Sequence, residues 1–183
     1  NSRLPQPVRR PGLVVVCGLP GTGKTTFARR LAQRLPLAIL ESDELRQTLF
    51  TNRAYTRHEN AELFGAIHDL VGFLLDENIS VLVDATNLQQ KHRNPLYRIA
   101  EDRGKWVSVV HLVAPIDMVF HRLRQRAVEG DRIGSSEAGW SVYLRLRRSM
   151  QSIGRPHVIV DTSRDTTNPL ERLAEEIAQK ELM

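Results

Sequence analysis

The sequence contains a single cysteine, Cys17, among 183 residues, so no internal disulfide can staple the chain. A domain of this length buries roughly 70% of the surface that its unfolded form exposes and needs no staple. Cys17 ends the apolar run LVVVC, where a buried, reduced thiol is expected. That expectation fits a reducing, cytoplasmic setting. No apolar run approaches the roughly 20 residues that cross a bilayer, and no secretory-leader pattern opens the sequence, so a membrane protein is not expected. The histidines at positions 58, 68, 92, 111, 121 and 157 lack ligand spacing and have no cysteine pair beside them, which argues against a zinc centre. Aromatic residues make up only 5%. Trp106, at the start of an apolar run, and Trp140, on an amphipathic stretch, read as packing residues rather than stacking platforms.

What is present is an alternation. Short apolar runs at 13–17, 37–41, 80–85, 106–114 and 157–162 read as strands. Between and after them lie helical patterns at 25–35, from Asp43 behind a Ser42 cap, and at 59–78, 90–104, 115–129, 137–151 and 169–182. Strands separated by helices mean βαβ units, a parallel sheet with helices on both faces, and ligands bound outside the carboxyl ends of the strands. Residues 1–11, with three prolines and three arginines, read as an exposed arm, and 12–183 as one domain. The polar, glycine-bearing stretch 128–138 reads as a mobile flap within a short lid over about 122–140. Lys and Arg outnumber Asp and Glu by 26 to 21, a balance that suits anionic ligands from ATP to nucleic acid, and that solubility alone explains as well.

The strongest local signal is GLPGTGKTT. Gly18, Leu19, Pro20, Gly21, Thr22, Gly23, Lys24, Thr25 and Thr26 fit G-x-x-x-x-G-K-[ST] at every fixed position, with a strand before and a helix after. Glycines let backbone N–H groups turn around an anion, and the helix points its positive end at the same place. Lys24 can reach the β/γ-phosphate oxygens of ATP, and Thr25 can offer a hydroxyl to Mg²⁺. No N-K-x-D guanine signature is present, so a GTP switch is disfavoured.

Phosphoryl transfer to an alcohol also needs a group to orient the hydroxyl and take its proton. Asp43 follows the second strand, and Arg46 shares its helix face one turn later. They are candidates for a base and a substrate-anion clamp. The competing reading is a helix start with its surface ion pair. Asp84 ends the third strand and is the candidate second holder of Mg²⁺. Thr86, Asn87 and Arg93 are candidates to orient the acceptor, although Asp84, Thr86 and Asn87 could equally form a hydrogen-bonded cap. Arg122 and Arg126, four apart and leading into the flap, are candidates to close over the transferring group. Arg122 or Arg124 could instead stack on adenine. A solvated basic face is the plain alternative. RLRR, 145–148, could touch a nucleic-acid backbone, but an exposed helix face is the better reading.

GLPGTGKTT, SDELR and VDATN…R resemble the P-loop kinase module of polynucleotide 5′-hydroxyl kinases over most of the chain after Pro11. The resemblance implies that Asp43 is the general base and Arg46 binds a substrate phosphate. It implies that Lys24 and Thr25 serve ATP and Mg²⁺, and that Arg122 and Arg126 are lid arginines. Asp84 matches the DATN of bacterial members, whereas phage relatives place the acid one position later. GSSEAGW, 134–140, resembles instead the lid end of a broader set of P-loop kinases, some acting on small molecules. The expected activity is therefore an ATP-dependent phosphotransferase, with the 5′-hydroxyl end of DNA or RNA as favoured acceptor and a small alcohol as alternative. The rival of another class is an ATP-binding switch or assembly subunit, which has no need of Asp43 with Arg46.

Overall fold

The computed structural model describes residues 4–51, 55–129 and 135–182. Strands β1 (Gly12–Cys17), β2 (Leu37–Glu41), β3 (Ser80–Asp84), β4 (Trp106–Val113) and β5 (Val158–Asp161) form one parallel sheet in the order β2-β3-β1-β4-β5. The helices are α1 (Lys24–Ala32), α2 (Ser42–Leu49), α3 (Arg57–Asp76), α4 (Gln90–Glu101), α5 (Ile116–Glu129), α6 (Ser135–Arg148) and α7 (Thr167–Leu182). This is the α/β P-loop fold that the alternation of strands and helices leads one to expect.

β1 is buried along its whole length because successive side chains serve two cores. Leu13 and Val15 point into one, with Val81 and Val83 of β3, Leu63, Ile67 and Val71 of α3, and Leu96 of α4. Val14 and Val16 point into the other, with Phe27 and Leu31 of α1 and Leu170, Leu173 and Ile177 of α7. The side chains of Leu31, Ile67 and Leu170 are fully inaccessible, and truncating any of them to alanine is expected to cost about 2–5 kcal/mol. Cys17 belongs to the first core, and burial pushes its thiol pKa up to about 12.

Two helix starts differ from the sequence expectation. Ser42 is the first residue of α2, not its cap, and Glu41 precedes it in extended conformation without a side-chain cap bond. α3 begins two residues earlier than its apolar periodicity indicates. The Thr56 hydroxyl accepts from the Glu59 N–H at 3.1 Å, an N-terminal cap of the T-x-x-E kind. In the N-terminal stretch the Val8 N–H donates to the Asn78 carbonyl, and the Trp106 indole N–H donates to the Arg10 carbonyl. Of the stretch 128–138, residues 130–134 lie outside the described residues; α5 runs to Glu129 and α6 starts at Ser135.

Candidate active site

The carboxyl ends of β1, β2 and β3 deliver Gly18, Asp43 and Asp84 to one edge of the sheet. The loop after β1 has the backbone its glycines allow. Gly23 caps α1 with φ 82°, a left-handed conformation that L side chains rarely adopt. At Gly18 a Cβ would come within 2.6 Å of the Leu112 carbonyl oxygen. The Thr22 hydroxyl closes the turn by donating to the Leu19 carbonyl at 2.8 Å, and the Lys24 ammonium donates to the same oxygen at 3.0 Å. Burial lowers the Lys24 pKa, opposed by the nearby carboxylates of Asp84 and Asp43. The Thr25 hydroxyl donates to Asp84 Oδ2 at 2.6 Å. Burial raises the Asp84 pKa, and the Thr25 hydrogen bond and Lys24 oppose the rise.

Two cavities open on either side of this loop. One, of about 360 Å³, lies over α1 and the loop after β5, between Thr26, Phe27, Arg30, Arg122, Thr162 and Arg164. The other, of about 460 Å³, brings together Lys24, Thr25, Asp43, Asp84, Thr86 and Arg46, with Tyr55, Phe64 and His92 along its wall. Arg126 lines both, so the two meet beside Lys24. An acid free to face solvent, Asp43, thus shares a crevice with the lysine and hydroxyl of the phosphate loop.

The structure redistributes several expected acceptor contacts. Arg93 is 2% exposed, and its guanidinium donates to the carbonyls of Asn87 at 2.8 Å and Ser152 at 2.7 Å. It ties the turn after β3 to the segment before β5 and does not reach the crevice. Asn87, 1% exposed with φ 47°, donates from Nδ2 to the Val16 carbonyl at 2.8 Å and so holds the end of β1. Thr86 does line the crevice, and its carbonyl accepts from the Gly18 N–H at 3.0 Å. Arg46 is not the surface partner of Asp43. It is buried, pairs closely with Glu59, donates to Asn60 Oδ1 at 2.6 Å, and has its guanidinium carbon 4.8 Å from the Tyr55 ring centroid. Arg122 is drawn onto the loop after β5, donating to the Thr162 hydroxyl and carbonyl at 2.8 Å each and to the Gly21 carbonyl at 3.3 Å. Arg124 lines neither cavity.

Sequence reasoning missed Glu59 and Thr162, and it ranked Arg145 as exposed surface ahead of a nucleic-acid contact. The cap motif T-x-x-E at 56–59 was the available signal for Glu59, because it fixes where α3 starts. Thr162 carries no pattern of its own. Arg145 sits in a charge run that reads as a solvated face, yet it lines the larger cavity. Among the described residues no cluster of three or more His, Cys, Asp or Glu side chains could hold a metal by itself, and no helix is long and apolar enough to cross a membrane.

Residues 13–153 match the family model described as an AAA domain. The chain is 28% identical over 122 residues to an adenylyl-sulfate kinase of Myxococcus xanthus, covering 62% of this chain and 66% of that one. It is 27% identical over 118 residues to an L-seryl-tRNA(Sec) kinase of Methanococcus maripaludis, covering 62% of this chain and 46% of that one. In fold it superposes on Mycobacterium tuberculosis APS kinase, solved in complex with AMPPNP and APS. The TM-score is 0.65 at 22% identity, with 96% of this chain and 98% of that one covered. The family model spans most of the sequence and includes the phosphate loop, both carboxylates and the crevice between them; the chain belongs to the P-loop AAA domain family.

Proposed function

We propose that this protein is an ATP-dependent kinase that moves the γ-phosphoryl group to a hydroxyl acceptor. The observation that carries the reading is the shared crevice, in which Asp43, Lys24, Thr25 and Asp84 line one cavity. A switch needs the loop and Asp84 but has no use for an acid exposed on the far wall. ATP lies with its phosphates on the 18–25 backbone and its nucleoside in the smaller cavity, between Phe27, Arg122 and Thr162. Asp43 accepts the proton of the acceptor hydroxyl. The acceptor oxygen forms a bond to the γ-phosphorus as the bond to the β,γ-bridging oxygen breaks, and ADP leaves with that electron pair. Arg126, at the junction of the cavities, faces the transferring group, where charge spreads over three oxygens.

The hydroxyl of Thr25 and the carboxylate of Asp84 form an oxygen donor pair of the kind Mg²⁺ takes. Bound there, the ion would neutralise charge on the β- and γ-phosphate oxygens. Thr25 and Asp84 hold the site, and Lys24 compensates the buried carboxylate.

The favoured acceptor is the 5′-hydroxyl end of DNA or RNA. The resemblance to polynucleotide kinases supports this, as do arginines at 126 and 145 on the acceptor wall and aromatic faces at Tyr55 and Phe64. The relatives' names, adenylyl-sulfate kinase and L-seryl-tRNA(Sec) kinase, also point to acceptors that carry a nucleotide. A small alcohol is the second reading, favoured by a cavity volume of about 460 Å³, within the range of small-molecule sites.

The test is incubation with γ-labelled ATP and panels of 5′-hydroxyl oligonucleotides, nucleosides and sugars. Labelled oligonucleotide supports the first reading and labelled sugar the second. Labelled inorganic phosphate with no labelled alcohol defeats both and leaves the switch.

A further inference from the structure

The larger cavity does not end at its wall. Arg145 lines it, and Arg145 also lines a second, shallow groove of about 450 Å³ with Ser141, Leu144, Arg148 and Ser149. Positions 141, 144, 145 and 148 are spaced three and four apart, so they form one continuous face of α6. Arg145 and Arg148 are exposed, and among the described residues no acid lines the groove. Among the described residues neither arginine is in a salt bridge. Like charges three apart on a helix repel. The position near the C-terminus of α6 offsets this in part, but it does not explain why one of the pair opens into the reaction cavity. Arg147, the third arginine of this turn, faces a different crevice with His111 and Tyr143. The chain at the end of the groove is held in place. The Gln89 side chain donates to the Ser149 carbonyl at 3.4 Å and the Gln90 N–H to Gln151 Oε1 at 2.8 Å, so the start of α4 is pinned against the end of α6.

We propose that this face of α6 is a track for the phosphodiester backbone of a single-stranded acceptor. Arg145 holds the phosphate nearest the reacting hydroxyl and Arg148 one further along the strand. The inference rests on the 5′-hydroxyl reading above and deepens it: the preferred substrate is a chain several nucleotides long, not a nucleoside monophosphate. Backbone contacts of this kind position a strand without reading its sequence, so the preference is for length and charge.

The experiment compares kcat/KM for a nucleoside 3′-phosphate and for 5′-hydroxyl oligonucleotides of increasing length, at several salt concentrations, in the wild type and in Arg148→Ala and Arg148→Glu. In the wild type, efficiency rises with length and then levels off. Arg148→Ala lowers the ratio of hexamer to nucleoside 3′-phosphate efficiency by about tenfold, the effect of one hydrogen bond to a charged group. It also reduces the slope of log affinity against log salt by about 0.7, one phosphate contact on a single strand. Arg148→Glu lowers the ratio further. Unchanged thermal midpoint and ATP KM in both variants exclude a folding defect. If oligonucleotides of every length are phosphorylated equally, or the variants keep the wild-type ratio and slope, the track is wrong while the 5′-hydroxyl reading stands. If the wild type phosphorylates no nucleic acid at all, that reading fails and the track with it.

Discussion

The two sides of the crevice are built in different ways. The donor side is backbone. Gly18, Gly21 and Gly23 take positive φ and set the loop ahead of α1, and the side chains of Thr22 and Lys24 fold back on that loop. The proposed acceptor side is assembled from side chains on separate elements: Asp43 and Arg46 from α2, Phe64 from α3, Asp84 at the end of β3 with Thr86 just beyond it, His92 from α4, Arg126 from α5 and Arg145 from α6. A backbone cradle serves any nucleoside triphosphate in the same way. A wall of side chains from six places can change its substrate without changing the fold. The difference teaches where specificity resides, and it can be broken experimentally.

The largest effect is expected at the donor side. Lys24→Ala removes the one ammonium in the loop and should weaken ATP binding and also lower kcat by about 10²–10³-fold, as loss of a transition-state donor does. Isothermal titration and single-turnover transfer separate the two losses. An unchanged rate would mean that the loop does not hold the reacting phosphate.

Next is Arg93, which the account moves from acceptor contact to structural tie. Arg93→Met leaves the carbonyls of Asn87 and Ser152 without their donor. The Asn87 carbonyl is the buried one of the two, and an orphaned buried acceptor costs about 1–3 kcal/mol, so a loss of about that size is expected in a urea titration. The KM for the acceptor, measured on the folded fraction, should hold. A raised KM with intact stability would return Arg93 to the substrate.

A smaller effect concerns pH. Burial raises the pKa of Asp84, and only its carboxylate form can hold a cation. As pH falls, Asp84 therefore protonates before an ordinary aspartate does, and the Mg²⁺ dependence of ATP binding should weaken over that interval. Asp84→Asn should remove the inflection. The same inflection in the asparagine variant would assign it to another group.

The smallest effect lies in the core behind the loop. Cys17 has its pKa raised from 9.0 to about 12 by burial. Between those values the unfolded chain has lost the thiol proton and the native protein has kept it. Stability must therefore fall as pH rises through that window. From pH 8 to pH 10 the loss from this group should be about 1 kcal/mol, and it should be absent in Cys17→Ala. Equal pH dependence in both proteins would place the thiol in contact with water.

The contrast between the two sides also explains what could be read from the sequence. The parallel sheet and the cradle follow from local patterns: apolar runs between helices, and glycines at fixed spacing. Asp43, Asp84 and Thr86 were legible because they stand within three residues of a strand end. Asn87 misled for the same reason, and Arg93 because it opens the helix that follows. Their side chains turn into the protein, where unpaired carbonyls need donors. The partner of Arg46 was not legible from spacing, because Glu59 lies thirteen residues on and reaches it only through the way α3 packs on α2. Arg145 looked like surface charge because nothing in RLRR says which of its arginines overlooks a cavity formed by distant strands.

The central claim is that the carboxylate of residue 43 and the triphosphate pocket serve one reaction. The most direct measurement takes Asp43→Asn and follows two quantities: ATP affinity by equilibrium titration, and single-turnover transfer of labelled γ-phosphate to the acceptor that the panel identifies. The account predicts unchanged affinity with transfer slowed by about 10²–10⁴-fold, the contribution of a positioned general base. Transfer at the wild-type rate, or a loss of transfer matched by an equal loss of ATP binding, would contradict it.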